Sequence, residues 1–442
     1  MEMVGIKRMV LKNMSKKRKY YNHVNSPSDF WWIPFILSIM LVFIFINLVN
    51  LKIMILNIFV FVLILIVSLF SGILYLISNR DKQLIYKVPE MSKEALKRSL
   101  KVEKKFTASV LAEALRVGIQ TTRGIKLPSV SVWVADDLDT GAIFIENLGS
   151  YEKLDHSKMI ESISGILPSP YETVASYLVT GGKFIQFEFE DTTTSHKFIV
   201  HNHDFSPFIS KDVHSIRLSD DLVWNARKVP HFSIIGRSGS AKSSFSGGYI
   251  ANVAILQGWQ VFYASVKPDQ YTKKFNGYTT PERITQLAEN LVKYMHKRLA
   301  KIQKKGADDY GDLENMNDIA FFIDEIGHLN ALLDSDKKLK LRFENAMKSL
   351  SFTGRSAGIH LIGISQFATI EAFLPSSVRG NMKDGVVLLG NTANFGEERK
   401  FLIPGFNDLP NRNYQRGQGI AMVLESGNKW KTPHYFETPL II

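Results

Sequence analysis

Two long apolar runs dominate the first eighty residues: residues 30–49, FWWIPFILSIMLVFIFINLV, and residues 53–77, which carry no charge. Each is long enough to cross a hydrocarbon core, which takes about 20 apolar residues. Beyond them the pattern shortens. Apolar positions at helical spacing predict a helix over 102–117. Residues 130–135 and 142–146 read as strands bounded by Pro128, Asp139 and Gly141, and 183–190 (KFIQFEFE) alternates as another. A helix is expected at 157–166, ended by Leu167-Pro168. From 231 to 391, strands at 232–235, 259–266, 359–364 and 386–389 and an apolar run ending at Asp324-Glu325 alternate with helices at 244–257, 281–304 and 337–352. That alternation predicts an α/β fold with a mostly parallel sheet and helices on both faces.

Charge adds orientation. Lys7, Arg8, Lys12, Lys16, Lys17, Arg18 and Lys19 precede the first apolar run, and Arg80, Lys82 and Lys87 follow the second. Between them stand only Asn50, Leu51 and Lys52. Lys/Arg at both outer ends predicts a two-helix transmembrane hairpin in the cell membrane, with both termini cytoplasmic. The expected organisation is a basic arm (1–29), the hairpin (30–78), a connector (79–100) broken by Pro89, a small α+β domain (101–205) and a large domain (206–442). The formal net charge of +12 favours nucleic acid or an anionic membrane surface as partner. There is no cysteine, so disulfides, thiolate catalysis and cysteine zinc sites are excluded.

The candidate chemistry sits in HFSIIGRSGSAKSSFSGGY, residues 231–249. A buried strand enters a loop of small residues, and a helix opens at Lys242-Ser243, which together make a cradle of backbone N–H groups for phosphate. Gly236, Arg237, Ser238, Gly239, Ser240, Ala241, Lys242, Ser243 and Ser244 are the nucleotide-binding candidates. They follow G-x-x-x-x-G-K-[ST] except at Ala241, where the second glycine is expected. If that position requires positive φ, alanine there costs about 1 kcal/mol. Downstream, Asp324 is placed to hold the shell of a Mg²⁺ ion together with Ser243, and Glu325 to activate the water that attacks the γ-phosphate of ATP. Gln366, at the end of the 359–364 strand, is placed to sense that phosphate. Lys293, Lys297, Arg298, Lys301, Lys304 and Lys305 form a basic helix face that reads equally as solvated surface or DNA contact. His201 and His203 form an H-x-H that reads as solvated loop before it reads as a metal site.

PHFSIIGRSGSAKSS, FFIDEIGHL and GRSAGIHLIGISQ resemble the FtsK/SpoIIIE-type DNA translocases of the HerA/FtsK branch of RecA-like ATPases, over about residues 218–425. The resemblance implies a RecA-like P-loop motor that hydrolyses ATP, assembled as a homo-hexamer that pumps DNA, with ATP between subunits. It makes Arg355, in the GRSAGIHL segment, a candidate trans-acting arginine, with Arg379 a second. With two apolar spans and no long linker, the chain looks most like the short coupling proteins of Gram-positive conjugative elements, which meet a relaxase and a transfer channel. A chromosome-segregation translocase, a non-hydrolysing ATP- or DNA-binding membrane scaffold and a protein-secretion ATPase are the alternatives.

Overall fold

The strands expected to be buried are apolar on both faces, and this property builds the main sheet. The structure, a computed structural model, describes residues 20–21, 32–50, 54–80, 84–121, 124–149, 156–179 and 181–442. Seven strands form one sheet: β1 (Phe232–Gly236), β2 (Gln260–Ser265), β3 (Ile319–Asp324), β4 (Ile359–Ser365), β5 (Gly385–Leu389), β6 (Gln418–Val423) and β7 (His434–Glu437). Their order is β2-β3-β4-β1-β5-β6-β7. The first five are parallel, and β6 and β7 extend the sheet antiparallel. The phosphate-loop strand β1 therefore lies one strand away from β3, which carries the acidic pair. In β3 every residue is buried. Ile319, Phe321 and Ile323 enter a core beneath the helices Pro281–Lys305 and Lys337–Ala357, while Ala320 and Phe322 enter the core of the other face with Phe245, Tyr249 and Trp224. This double burial is what a parallel strand covered by helices on both faces requires.

Helix ends follow local chemistry. Thr280 caps Pro281–Lys305 by accepting from Arg283 N, Pro281 fits its first turn, and Gly306 closes it at φ +66. Arg298 is buried in that helix and donates to Asn317 O at 2.8 Å, so it does not belong to the basic face as expected. Lys293, Lys297, Lys301, Lys304 and Lys305 are exposed. His201 and His203 are exposed as well, and among the described residues no group of acids and imidazoles is arranged to hold a metal.

The chain divides into two compact units, residues 1–155 with 177–186 and residues 156–176 with 187–442. In the first, helix Trp32–Asn50 lies beside Met54–Arg80. Ser68 meets Ser38 at 3.4 Å and the Phe45 and Phe61 rings are 6.1 Å apart, pairings whose positions run in opposite directions, so the helices are antiparallel. Phe43, Phe59, Leu69 and Phe70 are exposed on them. Side chains are described for residues 36–46 and 58–73 of this pair, and among the described residues no helix is long and apolar enough to cross a membrane. Most of the basic arm lies outside the described residues. The helix expected at 102–117 is instead Lys93–Glu103 followed by a π turn at Val110–Ala114. Ser92 sets the earlier start by accepting from Ala95 N at 3.2 Å. Strand Val130–Val134 pairs antiparallel with Thr140–Glu146, close to expectation.

His231, at the entry to β1, is fixed in one neutral form. Leu361 N donates to its Nδ1 at 3.1 Å, so the proton is on Nε2, which donates to Ser351 O at 3.1 Å. Burial, helped by the charge of His360 and opposed by the Ser351 carbonyl, pushes its pKa down to about 3. Between that value and the ordinary one of about 6.5, the unfolded chain binds a proton that the native one refuses. Stability is therefore expected to fall as pH falls below about 6.5, by up to about 1.4 kcal/mol per pH unit from this residue. Urea midpoints at pH 7.5 and 5 check it, and His231→Gln should flatten the slope.

Candidate nucleotide-binding site

The parallel strands deliver their C-terminal ends to one edge, where polar residues end apolar runs. β1 ends in Gly236, where an added Cβ would stand 2.4 Å from Ser240 Oγ, so the loop folds back tightly over its own start. Gly239 takes φ +83 and Ala241 φ +78. The sequence therefore does place an alanine in the left-handed region where glycine is the usual choice. Ala241→Gly is expected to raise stability by about 1 kcal/mol, read as a shift in thermal midpoint, because relief of that backbone outweighs the extra freedom of glycine in the unfolded chain.

Lys242 and Ser243 nevertheless sit in register. The buried Lys242 Nζ donates to Arg237 O at 3.2 Å. Burial pushes its pKa down, the charges of Glu325 and Asp324 act the other way, and Lys267 reinforces the fall. Ser243 Oγ donates to Asp324 Oδ2 at 3.1 Å, and Tyr263 OH donates to the same oxygen at 3.1 Å. Burial pushes the Asp324 carboxyl above its ordinary range, and the neighbouring Glu325 charge adds to this. Hydrogen bonds from Glu325 N, Ser243 and Tyr263 oppose both. A hydroxyl and a carboxylate in contact are hard oxygen donors of the kind Mg²⁺ takes. Ser240 Oγ is buried without a hydrogen-bond partner, an orphan acceptor and donor inside the loop. Both features fit a bound magnesium nucleotide.

Glu325 follows β3 at φ 53, ψ 46, a left-handed conformation that turns the chain into helix Ile326–Leu333. Gln366 Nε2 donates to Glu325 Oε2 at 3.2 Å. Lys242, Ser243, Asp324, Glu325 and Gln366 thus converge at one edge. Arg355 does not join them. It is exposed before the start of β4, with Nε donating to Arg227 O at 3.3 Å, whereas Gln366 follows the end of that strand. Seven strand residues span roughly 20 Å. Arg379 is buried, donates to Ala368 O at 2.7 Å and lies 4.6 Å from the Phe401 ring, a structural tie. Arg237, exposed on the loop, lies over Phe367 and Phe395 at 5.1 and 4.9 Å.

Tyr263 and the 415–418 turn are site residues that sequence reasoning missed. Burial along β2 does not alternate, so its pattern does not single out Tyr263. Gly417 N donates to Ser240 O at 3.3 Å, a contact across so many residues that nothing local announces it.

No family model matches the chain, and no curated protein matches it. Among solved structures it is similar to the pCW3 conjugation coupling protein TcpA, monomer form with ATPγS, at 16% identity and TM-score 0.50, covering 78% of this chain and 95% of that one. The cytoplasmic domain of the type VII secretion ATPase EccC of Thermomonospora curvata matches at 15% identity and TM-score 0.37, covering 54% of this chain and 30% of that one. B204, the DNA-packaging ATPase from Sulfolobus Turreted Icosahedral Virus, matches at 15% and 0.28, over 48% and 97%. The chain shares the fold of the TcpA coupling protein structure.

Proposed function

We propose that this protein is a membrane-anchored, ATP-driven DNA translocase, the coupling protein that delivers DNA to a conjugative transfer channel. The observation that carries the proposal is the convergence of Lys242, Ser243, Asp324, Glu325 and Gln366 at one sheet edge, in a chain sharing the TcpA fold. Loop N–H groups and the Lys242 ammonium bind the β- and γ-phosphates. Ser243 and Asp324 would hold Mg²⁺, which supplies positive charge to the transferring phosphoryl group. Glu325 accepts the proton of the attacking water as the water oxygen bonds to the γ-phosphorus and the bond to the β-phosphate oxygen breaks. Gln366, already donating to Glu325, aligns that base and reports the γ-phosphate.

The apolar surface of the paired helices Trp32–Asn50 and Met54–Arg80 supports insertion in the cell membrane, and the flanking lysines and arginines support cytoplasmic ends and a cytoplasmic motor. The resemblance to FtsK-type motors supports a homo-hexamer, in which an exposed Arg355 reaches the nucleotide of a neighbouring subunit. The net positive charge supports DNA as the cargo, with a relaxase and channel proteins as further partners. ATP turnover by the full chain in lipid nanodiscs, with and without DNA, tests the reading. Stimulation by DNA is expected. Turnover indifferent to DNA would point to protein secretion, and no turnover under any condition to a passive scaffold.

A further inference from the structure

Helix Lys93–Glu103 carries an exposed apolar stripe beside an exposed basic one. Ala95, Ser99 and Val102 are buried, and Ser99 Oγ donates to Val132 O at 2.6 Å, which ties this face to strand Val130–Val134. At the helix start, Ser92 N donates to Asp136 Oδ1 at 2.8 Å and fixes that end. Leu96 and Leu100, one turn apart, stand on the next face and are each nearly half exposed. One position further round come Lys93, Lys97, Lys101 and Lys104, all exposed and spaced as a single stripe. Around its circumference the helix therefore passes from buried core, through exposed leucine, to lysine.

The leucines do not stand alone. With Ile85, Met91, Phe106 and Glu103 they line a groove of about 470 Å³. Leu84 and Ile85, on the segment before the helix, are exposed, Ile85 by 73%. Aliphatic side chains gathered at an exposed groove mark a contact surface. Burial raises the pKa of the Glu103 carboxyl, which favours its uncharged form in this apolar setting. Residues 93–105 carry six lysines and arginines against Glu94 and Glu103, so the complementary partner is negatively charged as well as apolar.

Chain length says where that partner lies. The second apolar helix ends at Arg80, and Leu84 follows within about 14 Å of fully extended chain. Lys93 follows within roughly 45 Å of the same point. A hairpin seated in the membrane thus keeps both stripes within reach of the lipid headgroups. A bilayer with anionic headgroups offers apolar depth beneath negative charge, the two properties this face matches.

We infer that helix Lys93–Glu103 lies on the anionic cytoplasmic surface of the membrane, with Leu84, Ile85, Leu96 and Leu100 among the acyl chains and the lysine stripe against the headgroup phosphates. The inference rests on the membrane-anchored reading above and adds to the hairpin a second contact with lipid.

The chain has no cysteine, so a single introduced thiol takes a label cleanly. Full chain carrying Leu100→Cys and an environment-sensitive dye is placed in nanodiscs of phosphatidylcholine, alone or mixed with phosphatidylglycerol, with and without nitroxide on the acyl chains. Quenching by the nitroxide is expected to be at least about twofold stronger with phosphatidylglycerol. Lys97→Glu, Lys101→Glu and Lys104→Glu together should remove that excess. Leu96→Cys, on the same stripe, gives the same reading if Leu100→Cys does not fold. Weak quenching at both positions in both lipids overturns the inference and leaves the face to water or to a protein. Quenching equal in the two lipids, or untouched by the charge reversals, overturns the assignment to an anionic surface. Leu65→Cys, exposed on the second apolar helix, reports the anchor separately. Strong quenching there is expected in both lipids, and none in either overturns the membrane-anchored reading itself.

Discussion

Glutamine at position 325 is expected to leave Mg-ATP binding within about threefold of wild type while turnover falls about 10²–10⁴-fold, the usual contribution of a general base. The substitution removes the proton acceptor and little else. Glutamine has the shape of glutamate, keeps a carbonyl oxygen for the Gln366 donor at 3.2 Å, and meets the same left-handed backbone at φ 53. Asp324, Ser243 and Lys242 keep their mutual contacts. Single-turnover ATPase with and without DNA, alongside nucleotide titration, separates the two quantities. DNA-stimulated turnover within threefold of wild type would remove Glu325 from the role of base.

The second large effect lies at the other end of β3. His360→Leu is expected to destabilise the fold by about 3–5 kcal/mol, the loss that follows when one partner of a buried ion pair is removed. Asp318 is buried and has His360 Nε2 at 2.9 Å, His214 Nδ1 at 2.7 Å and the Tyr310 hydroxyl as partners. The second His360 nitrogen meets Pro230 O at 2.9 Å. The His360 ring thus bridges the Asp318 carboxylate and the Pro230 carbonyl, and leucine leaves both buried groups without that partner. Burial works to raise the Asp318 pKa, but the hydrogen bond and charge of His360, then Tyr310 and His214, hold it below the usual carboxylate value. A lowered carboxylate pKa contributes stability above about pH 3.9 that is lost as pH falls through the folded value. Urea unfolding at pH 7 reads the loss, and Asp318→Asn added to His360→Leu should restore part of it, because the uncompensated charge is gone. A loss under about 1 kcal/mol for the single variant would show that water, rather than His360, satisfies Asp318.

The sheet and the acidic pair were legible in the sequence because parallel strands covered on both faces must be apolar throughout. The runs at Phe232, Ile319 and Ile359 stand out for that reason. The meeting of the site residues at one edge was legible because Asp324-Glu325 and Gln366 stand at the ends of such runs and Lys242-Ser243 follow the loop after a third. Strands β6 and β7 were not foreseen. They are short, antiparallel and separated by a turn at Lys429–Lys431, so their local signal is weak although they complete the sheet. The helix start at Lys93 was hidden inside a polar stretch, where a single serine cap decides the boundary. Arg298 read as part of a basic stripe because periodicity cannot tell an exposed arginine from one aimed at the carbonyls of the next loop.

The contact between Gly417 and Ser240, with the pairing of Leu440–Ile441 on Ile199–Val200, also sets a timetable. During synthesis the phosphate loop emerges before its carboxylates, Ser243 and Asp324 being 81 residues apart, and Leu440–Ile441 follows both. Contacts this distant in sequence form late in folding, because closing the intervening loop costs entropy before any contact repays it. A half-made chain on the ribosome holds the loop without the rest of the cleft, and Ile199–Val200 waits unpaired until Leu440–Ile441 has been made.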